Sequence, residues 1–177
     1  MIGPGLLKSS RLDIIPATVD LYRLELEYRE GLASALDAVV PPEWPPEQVT
    51  REVIEEFITR MMTEPGRMSG FYWVLRGDGS CSRILIGSGG FLLHNDGVME
   101  LGYSVLPEWQ GKGYTTEAVG ILVDWAFTCA HARMIVACTY PHLTGSIRVL
   151  EKNGFRVIGD GPLEGTIAYE KRKTFPG

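Results

Sequence analysis

Residues 71 to 106 contain three runs, FYWVLRG, RILIGSGGFLL and VMELGYSVL, separated by DGS and HNDG. β-Branched and aromatic residues suit a pleated, half-buried strand, and Gly beside Asp or Asn supplies the positive φ of tight hairpins. This stretch therefore predicts an antiparallel meander of three strands. Ahead of it, RLDII reads as a strand and ATVDLYRLELEYREGL as a helix ended by Gly31. The four prolines of VVPPEWPP, residues 39 to 46, forbid helix. Pro46 can open a second helix, EQVTREVIEEFITRMMTE, with Val53, Phe57 and Met61 at helical spacing and EPG as its stop.

Behind the meander the periods alternate. A helix carrying Ala118, Ile121, Leu122, Trp125, Ala126 and Cys129 on one face is followed by the strand RMIVACTY. The short helix TGSIRVLEKN closes at Gly154, and FRVIGD and GTIAYEKRK are two last strands. The order is β, two helices, three strands, helix, strand, helix, two strands. It predicts an α/β chain: one mixed, mostly antiparallel sheet of about seven strands with helices on both faces.

Composition narrows the function. With 177 residues and 45% hydrophobic content the chain suits a single domain over residues 1–177. No apolar run approaches the roughly 18 residues of a membrane span, and MIGPGLLKSSRLDI has no apolar signal core, so a cytoplasmic protein without a membrane partner is expected. Cys81, Cys129 and Cys138 are odd in number and lack ligand spacing, which reads as reduced, mostly buried thiols. With His94, His131 and His142 scattered, no metal is expected. A net charge of −5 disfavours a nucleic-acid partner.

PEWQGKGYTTEAV, residues 107 to 119, sets Gly111 and Gly113 directly before a long helix. The unpaired N–H groups of a helix start attract anions, and glycine lets the backbone approach them closely. The alternative is a plain strand-to-helix turn. A kinase-type phosphate loop does not fit, because Lys112 is followed by Gly113 rather than Ser or Thr. In VMELGYSV, alternation sets Met99, Leu101, Tyr103 and Val105 on one face and Val98, Glu100, Gly102 and Ser104 on the other. That second face is small and polar, as a cleft wall would be. Glu100 can accept a proton from an attacking amine, or be a solvated strand glutamate.

ELGYSVLPEWQGKGYTTEAV together with SIRVLEKNGF, residues 146 to 155, resembles the acyl-CoA-binding core of the GNAT superfamily of N-acyltransferases. It is most similar to the branch of ribosomal-protein N-terminal acetyltransferases. The resemblance implies that Gln110, Gly111, Lys112, Gly113, Tyr114 and Thr115 hold a coenzyme pyrophosphate, with Thr115 departing from the family's small final residue. It implies that backbone groups of Val105 and Leu106 pair with the pantetheine arm, and that an N–H there meets the thioester oxyanion. The family's tyrosine acid falls on Leu150. Ser146 is the nearest substitute, or else a helix-cap or first-turn hydroxyl. An expected asparagine is Leu143, so one coenzyme contact of the family is missing here or is supplied by Thr144.

The activity implied is transfer of acetyl from acetyl-CoA to a primary amine, by direct attack in a ternary complex and without metal. The acceptor is an N-terminal α-amine of a protein or peptide, or a small amine. A non-catalytic acyl-CoA-binding sensor or regulatory module is the alternative, and the chain is read as a monomer or homodimer. Trp44 and the FYW run are candidate walls of the acceptor pocket. Glu117 reads as a helix-capping residue, and His142 as an exposed loop histidine or, beside the motif, an acid or base.

Overall fold

The computed structural model describes residues 5–77, 82–128 and 130–174. Its strands are β1 (Leu7–Lys8), β2 (Leu12–Pro16), β3 (Met68–Leu75), β4 (Ile84–Leu93), β5 (Val98–Val105), β6 (Met134–Thr139), β7 (Arg156–Asp160) and β8 (Ile167–Arg172). They form one sheet in the order β1-β2-β3-β4-β5-β6-β8-β7. The eighth strand beyond the expected seven is β1, two residues that pair with Ile14 and Asp13. The meander forms as expected, in register Gly70–Gly90–Gly102 across its three strands. Its DGS turn, like Cys81 and Cys129, lies outside the described residues.

Helices cover both faces. On one side lie α1 (Val19–Glu27), α2 (Arg29–Leu36) and α3 (Arg51–Thr63), packed through Tyr22, Leu32, Leu36 and Ile54 on Tyr72, Val74 and Leu85. On the other side α4 (Tyr114–Thr128) and α5 (Thr144–Lys152) pack through Ala118, Leu122, Trp125, Ala126 and Leu150 on Phe71, Trp73, Met99 and Leu101. The FYW run is split by this arrangement. Phe71 and Trp73 enter the α4 side, and Tyr72 enters the α1–α3 side, as strand alternation requires. No helix among the described residues is long and apolar enough to cross a membrane.

Two helix boundaries differ from expectation. Gly31 does not stop the first helix, which ends at Tyr28 with φ −151° and ψ 87°, while Gly31 lies inside α2. A Cβ at Gly31 would press into the Tyr28 ring and Leu24, so this glycine permits close packing at the bend. Pro46 does not open α3. That helix starts at Arg51, where the hydroxyl of Thr50 accepts the Val53 N–H at 3.4 Å. The proline segment is held by Arg29, whose guanidinium donates to the carbonyls of Pro41, Pro42 and Trp44 at 3.0, 3.1 and 2.8 Å.

Candidate functional site

Two features of the sheet create the site. β5 pairs with β6 in parallel over three residues only, Val98 to Glu100 against Met134 to Val136, and the two strands then separate. Immediately beyond β5 the chain turns at Pro107, makes the glycine loop and enters α4. The opening between the strands thus lies next to a helix N-terminus.

The loop has the backbone of an anion cradle. Gly111 and Gly113 take φ of 71° and 82°, a region costly for residues with a Cβ. Residues alternating about such positions turn successive N–H groups toward one point. Lys112 keeps its ammonium 4.8 Å above the Trp109 ring, and Arg11 lies 4.3 Å above the Tyr114 ring. Arg11 also donates to the Lys112 carbonyl at 3.2 Å. Two cations therefore flank the helix start, and Thr115 sits half-buried in its first turn.

Glu117 fixes this corner. Its carboxylate accepts the Ser10 hydroxyl at 2.9 Å, the Arg11 N–H at 2.9 Å and the Arg11 Nε at 2.7 Å. Burial alone would raise its pKa. The hydrogen bonds from the Ser9–Arg11 segment outweigh burial and hold it at about 2. Glu117 is thus a tie between the N-terminal segment and the loop rather than a cap confined to its own helix.

At the end of β5, Val105 and Leu106 differ. The Leu106 N–H donates to Ile86 at 2.9 Å, its carbonyl accepts the Trp109 N–H at 2.9 Å, and its side chain is buried. Leu106 therefore does not offer its N–H to a ligand, which corrects the reading of this position. Since Leu106 pairs with the β4 side, alternation turns the backbone of Tyr103 and Val105 toward the opening. The Gln110 amide stands 3.5 Å from the Val105 carbonyl.

Ser146 and Glu100 stand on opposite faces beside this opening. Ser146 is the third residue of α5, not its cap, and its hydroxyl lies 3.0 Å from that of Tyr103. Tyr103 also donates to the Ser146 carbonyl at 3.2 Å. Burial pushes the Tyr103 phenol up to about 12, so it keeps its proton through the neutral range. Thr144 opens α5 as an exposed residue, with Leu143 before it. His142 is exposed and stacked on Tyr140 at 5.5 Å.

On the other face, Glu100 is half-exposed and its Oε2 lies 2.9 Å from His94 Nε2. Cys138 is a free thiol near Glu100; burial and that carboxylate both raise its pKa. Cys138 is only half-buried, against the expectation of a core thiol. Glu100, Gly102 and Ser104 line a cavity of about 350 Å³ between the meander and helices α1 and α3. Its far wall includes Tyr22, Glu25 and Tyr72. Trp44 stands behind that wall, its indole donating to Glu25 at 2.7 Å.

Several of these residues escaped the sequence reading. Arg11 has no local signal, because it reaches the loop across 101 positions. His94 could have been found from the hairpin register: Leu92 faces Glu100, which sets His94 diagonally beside it. Alternation sets Tyr103 on the apolar face, and that face is where its hydroxyl meets Ser146.

The family model described as Acetyltransferase (GNAT) domain matches residues 19–156. The Bacillus subtilis (strain 168) protein called Probable N-acetyltransferase YjcK is 44% identical over 59 residues. That alignment covers 33% of this chain and 33% of the relative, so the chain spans about a third of its length. An acetyltransferase (GNAT family) from Bacillus anthracis has the same fold with a TM-score of 0.63 at 23% identity, covering 94% of this chain and 98% of that one. A ribosomal-protein-S5-alanine acetyltransferase from Vibrio fischeri aligns with a TM-score of 0.64 at 19% identity, over 94% and 96% of the two chains. The glycine loop entering α4, the strands that part beside it and the match over residues 19–156 together identify the chain as a member of the GNAT acetyltransferase family.

Proposed function

We propose that this chain transfers the acetyl group of acetyl-CoA to a primary amine that enters the cavity on the α1–α3 side of the sheet. The observation that carries this reading is the placement of Glu100 and the Tyr103–Ser146 hydroxyl pair on opposite faces beside the opening between β5 and β6. Acetyl-CoA supplies an activated acyl carbon and a thiolate leaving group. The loop fits its pyrophosphate through converging N–H groups and the flanking charges of Arg11 and Lys112. Gln110 to Thr115 hold the phosphates in this reading, Val105 offers its backbone to the arm, and Thr144 borders the entry beside α5.

The residues then divide the chemistry. The amine nitrogen forms the bond to the acyl carbon while its proton passes to Glu100, directly or through one water, and His94 orients the carboxylate. The C–S bond breaks on the α5 side, where Ser146 donates a hydrogen bond to the departing sulfur. A thiol of pKa about 8.5 needs little more help. The acceptor we favour is an N-terminal α-amine of a protein or peptide, a reading supported by the likeness to the ribosomal-protein acetyltransferase fold.

The test is release of free thiol from acetyl-CoA in the presence of N-terminal peptides, small amines and amino acids. Thiol released with a primary amine, and an acetylated product, is the expected result. Coenzyme binding with no thiol released across the screen would leave the chain an acyl-CoA-binding module.

A further inference from the structure

The cavity has a second end, away from Glu100. Gly70, Gly90 and Gly102 line it in one row across β3, β4 and β5. A Cβ on Gly102 would meet nothing within 4 Å, so the floor beside Glu100 is clear. At about 4.8 Å between strands and 3.3 Å per residue, Gly70 lies on the order of 10 Å from Glu100. Over Gly70 sits the Tyr22 hydroxyl, where a Cβ would collide with it. Tyr22 is 6% exposed, and its hydroxyl has no hydrogen-bond partner among the described residues.

Beside Tyr22 stands Glu25. One carboxylate oxygen accepts the Trp44 indole N–H at 2.7 Å and the other accepts the Tyr72 hydroxyl. These donors fix the group without cancelling its charge. Burial raises the Glu25 pKa, and its hydrogen-bond partners among the described residues are the neutral donors Trp44 and Tyr72 rather than a cation. The rings of Tyr22 and Phe57 are 5.7 Å apart, and those of Tyr22 and Tyr72 are 5.8 Å apart. A carboxylate beside a cluster of aromatic rings is a surrounding that a desolvated ammonium or guanidinium favours. Arg60, the one cation among the residues lining this cavity, is engaged with Glu56 at 2.7 Å.

We infer that Glu25, Tyr22, Phe57 and Tyr72 form a subsite for a second positive group of the acceptor, on the order of 10 Å from the amine that reacts. This rests on the acetyl-transfer reading and names its acceptor class: an amine carrying another cation, as a linear diamine or as a peptide with a basic side chain near its N-terminus. A purely structural Glu25, holding only the Trp44 segment, would show no preference for a second charge.

Calorimetric titration of the full chain with coenzyme A present tests this by binding, independently of turnover. In one arm 1,8-diaminooctane is compared with 8-amino-1-octanol, and in the other Ala-Ala-Lys with Ala-Ala-Gln peptides. The doubly charged probe should bind about tenfold more tightly in at least one arm. Its margin should collapse in Glu25→Gln and shrink in Tyr22→Phe, which keeps the ring. A margin in the diamine arm alone assigns a small acceptor, and one in the peptide arm alone assigns a peptide. Equal affinities in both arms, or margins that survive both substitutions, would overturn the subsite. Should Glu25→Gln fail to fold, Tyr22→Phe decides. A preference for the second charge without thiol release from any amine would keep the subsite and remove the transferase reading.

Discussion

Glu100 stands where the cavity meets the opening between β5 and β6, with His94 on one of its oxygens. The value of a proton acceptor at this place depends on how rarely the acceptor amine is already neutral. At pH 7 an α-amine of pKa near 7.8 is roughly a tenth neutral, whereas a lysine amine near 10.4 is about four parts in ten thousand neutral. Glu100→Gln should therefore lower kcat/KM by about 10²–10⁴ at neutral pH, as loss of a general base does. The deficit should shrink as pH rises from 6 to 10, and at lower pH for an α-amine than for lysine. Measured profiles that coincide for the two proteins would return Glu100 to the status of a solvated strand residue. Alternation along β5 was enough to single out this side chain. Its histidine partner depends on the pairing of β4 with β5, a relation between strands that no one strand contains.

At the scale of elements, α5 carries the hydroxyl of Ser146, while the position of the family's tyrosine is Leu150, which is fully buried. Ser146→Ala removes a first-turn hydroxyl that is not the helix cap, so its cost should be one hydrogen bond, on the order of 1 kcal/mol, read in the melting temperature. If Ser146 meets the leaving sulfur, kcat falls while KM for acetyl-CoA stays near wild type. Unchanged kcat would leave the sulfur to Tyr103 or solvent. The elements themselves were largely legible: the period change at residue 71, the turns and the glycine loop are local chemistry. The misplaced helix boundaries were not. Gly31 carries the composition of a stop signal, but its missing side chain is used against Tyr28 and Leu24, a packing fact set by how α2 folds back on α1. Pro46 has the φ for a helix start, and Thr50 takes the position because its hydroxyl can accept Val53 N–H.

At the scale of the molecule, the contact between Glu117 and the Ser10–Arg11 segment joins parts of the chain more than a hundred positions apart. Its pKa, lowered from 4.5 to about 2, makes the tie acid-sensitive. The folded state favours the ionised carboxylate, so the stabilisation is complete above the ordinary value and is lost as pH falls through the folded one. At 1.36 kcal/mol per pKa unit its upper bound is roughly 3 kcal/mol, which solvent screening at the exposed Arg11 reduces. The stability gap between wild type and Glu117→Gln should be widest near neutrality and narrow steadily between pH 5 and pH 2, as read by denaturant unfolding. A gap that stays constant over that range would mean that the charge of Glu117 contributes nothing. A second junction is the three-residue parallel pairing of β5 with β6, which joins a half-sheet of β1 to β5 to one of β6 to β8. A molecule lodged in that gap would act as a surrogate strand, bridging two edges that the chain leaves apart. Because only the folded sheet offers both edges, such an occupant would be thermodynamically part of the fold: at a hundredfold excess over its dissociation constant it would add about 2.7 kcal/mol to stability.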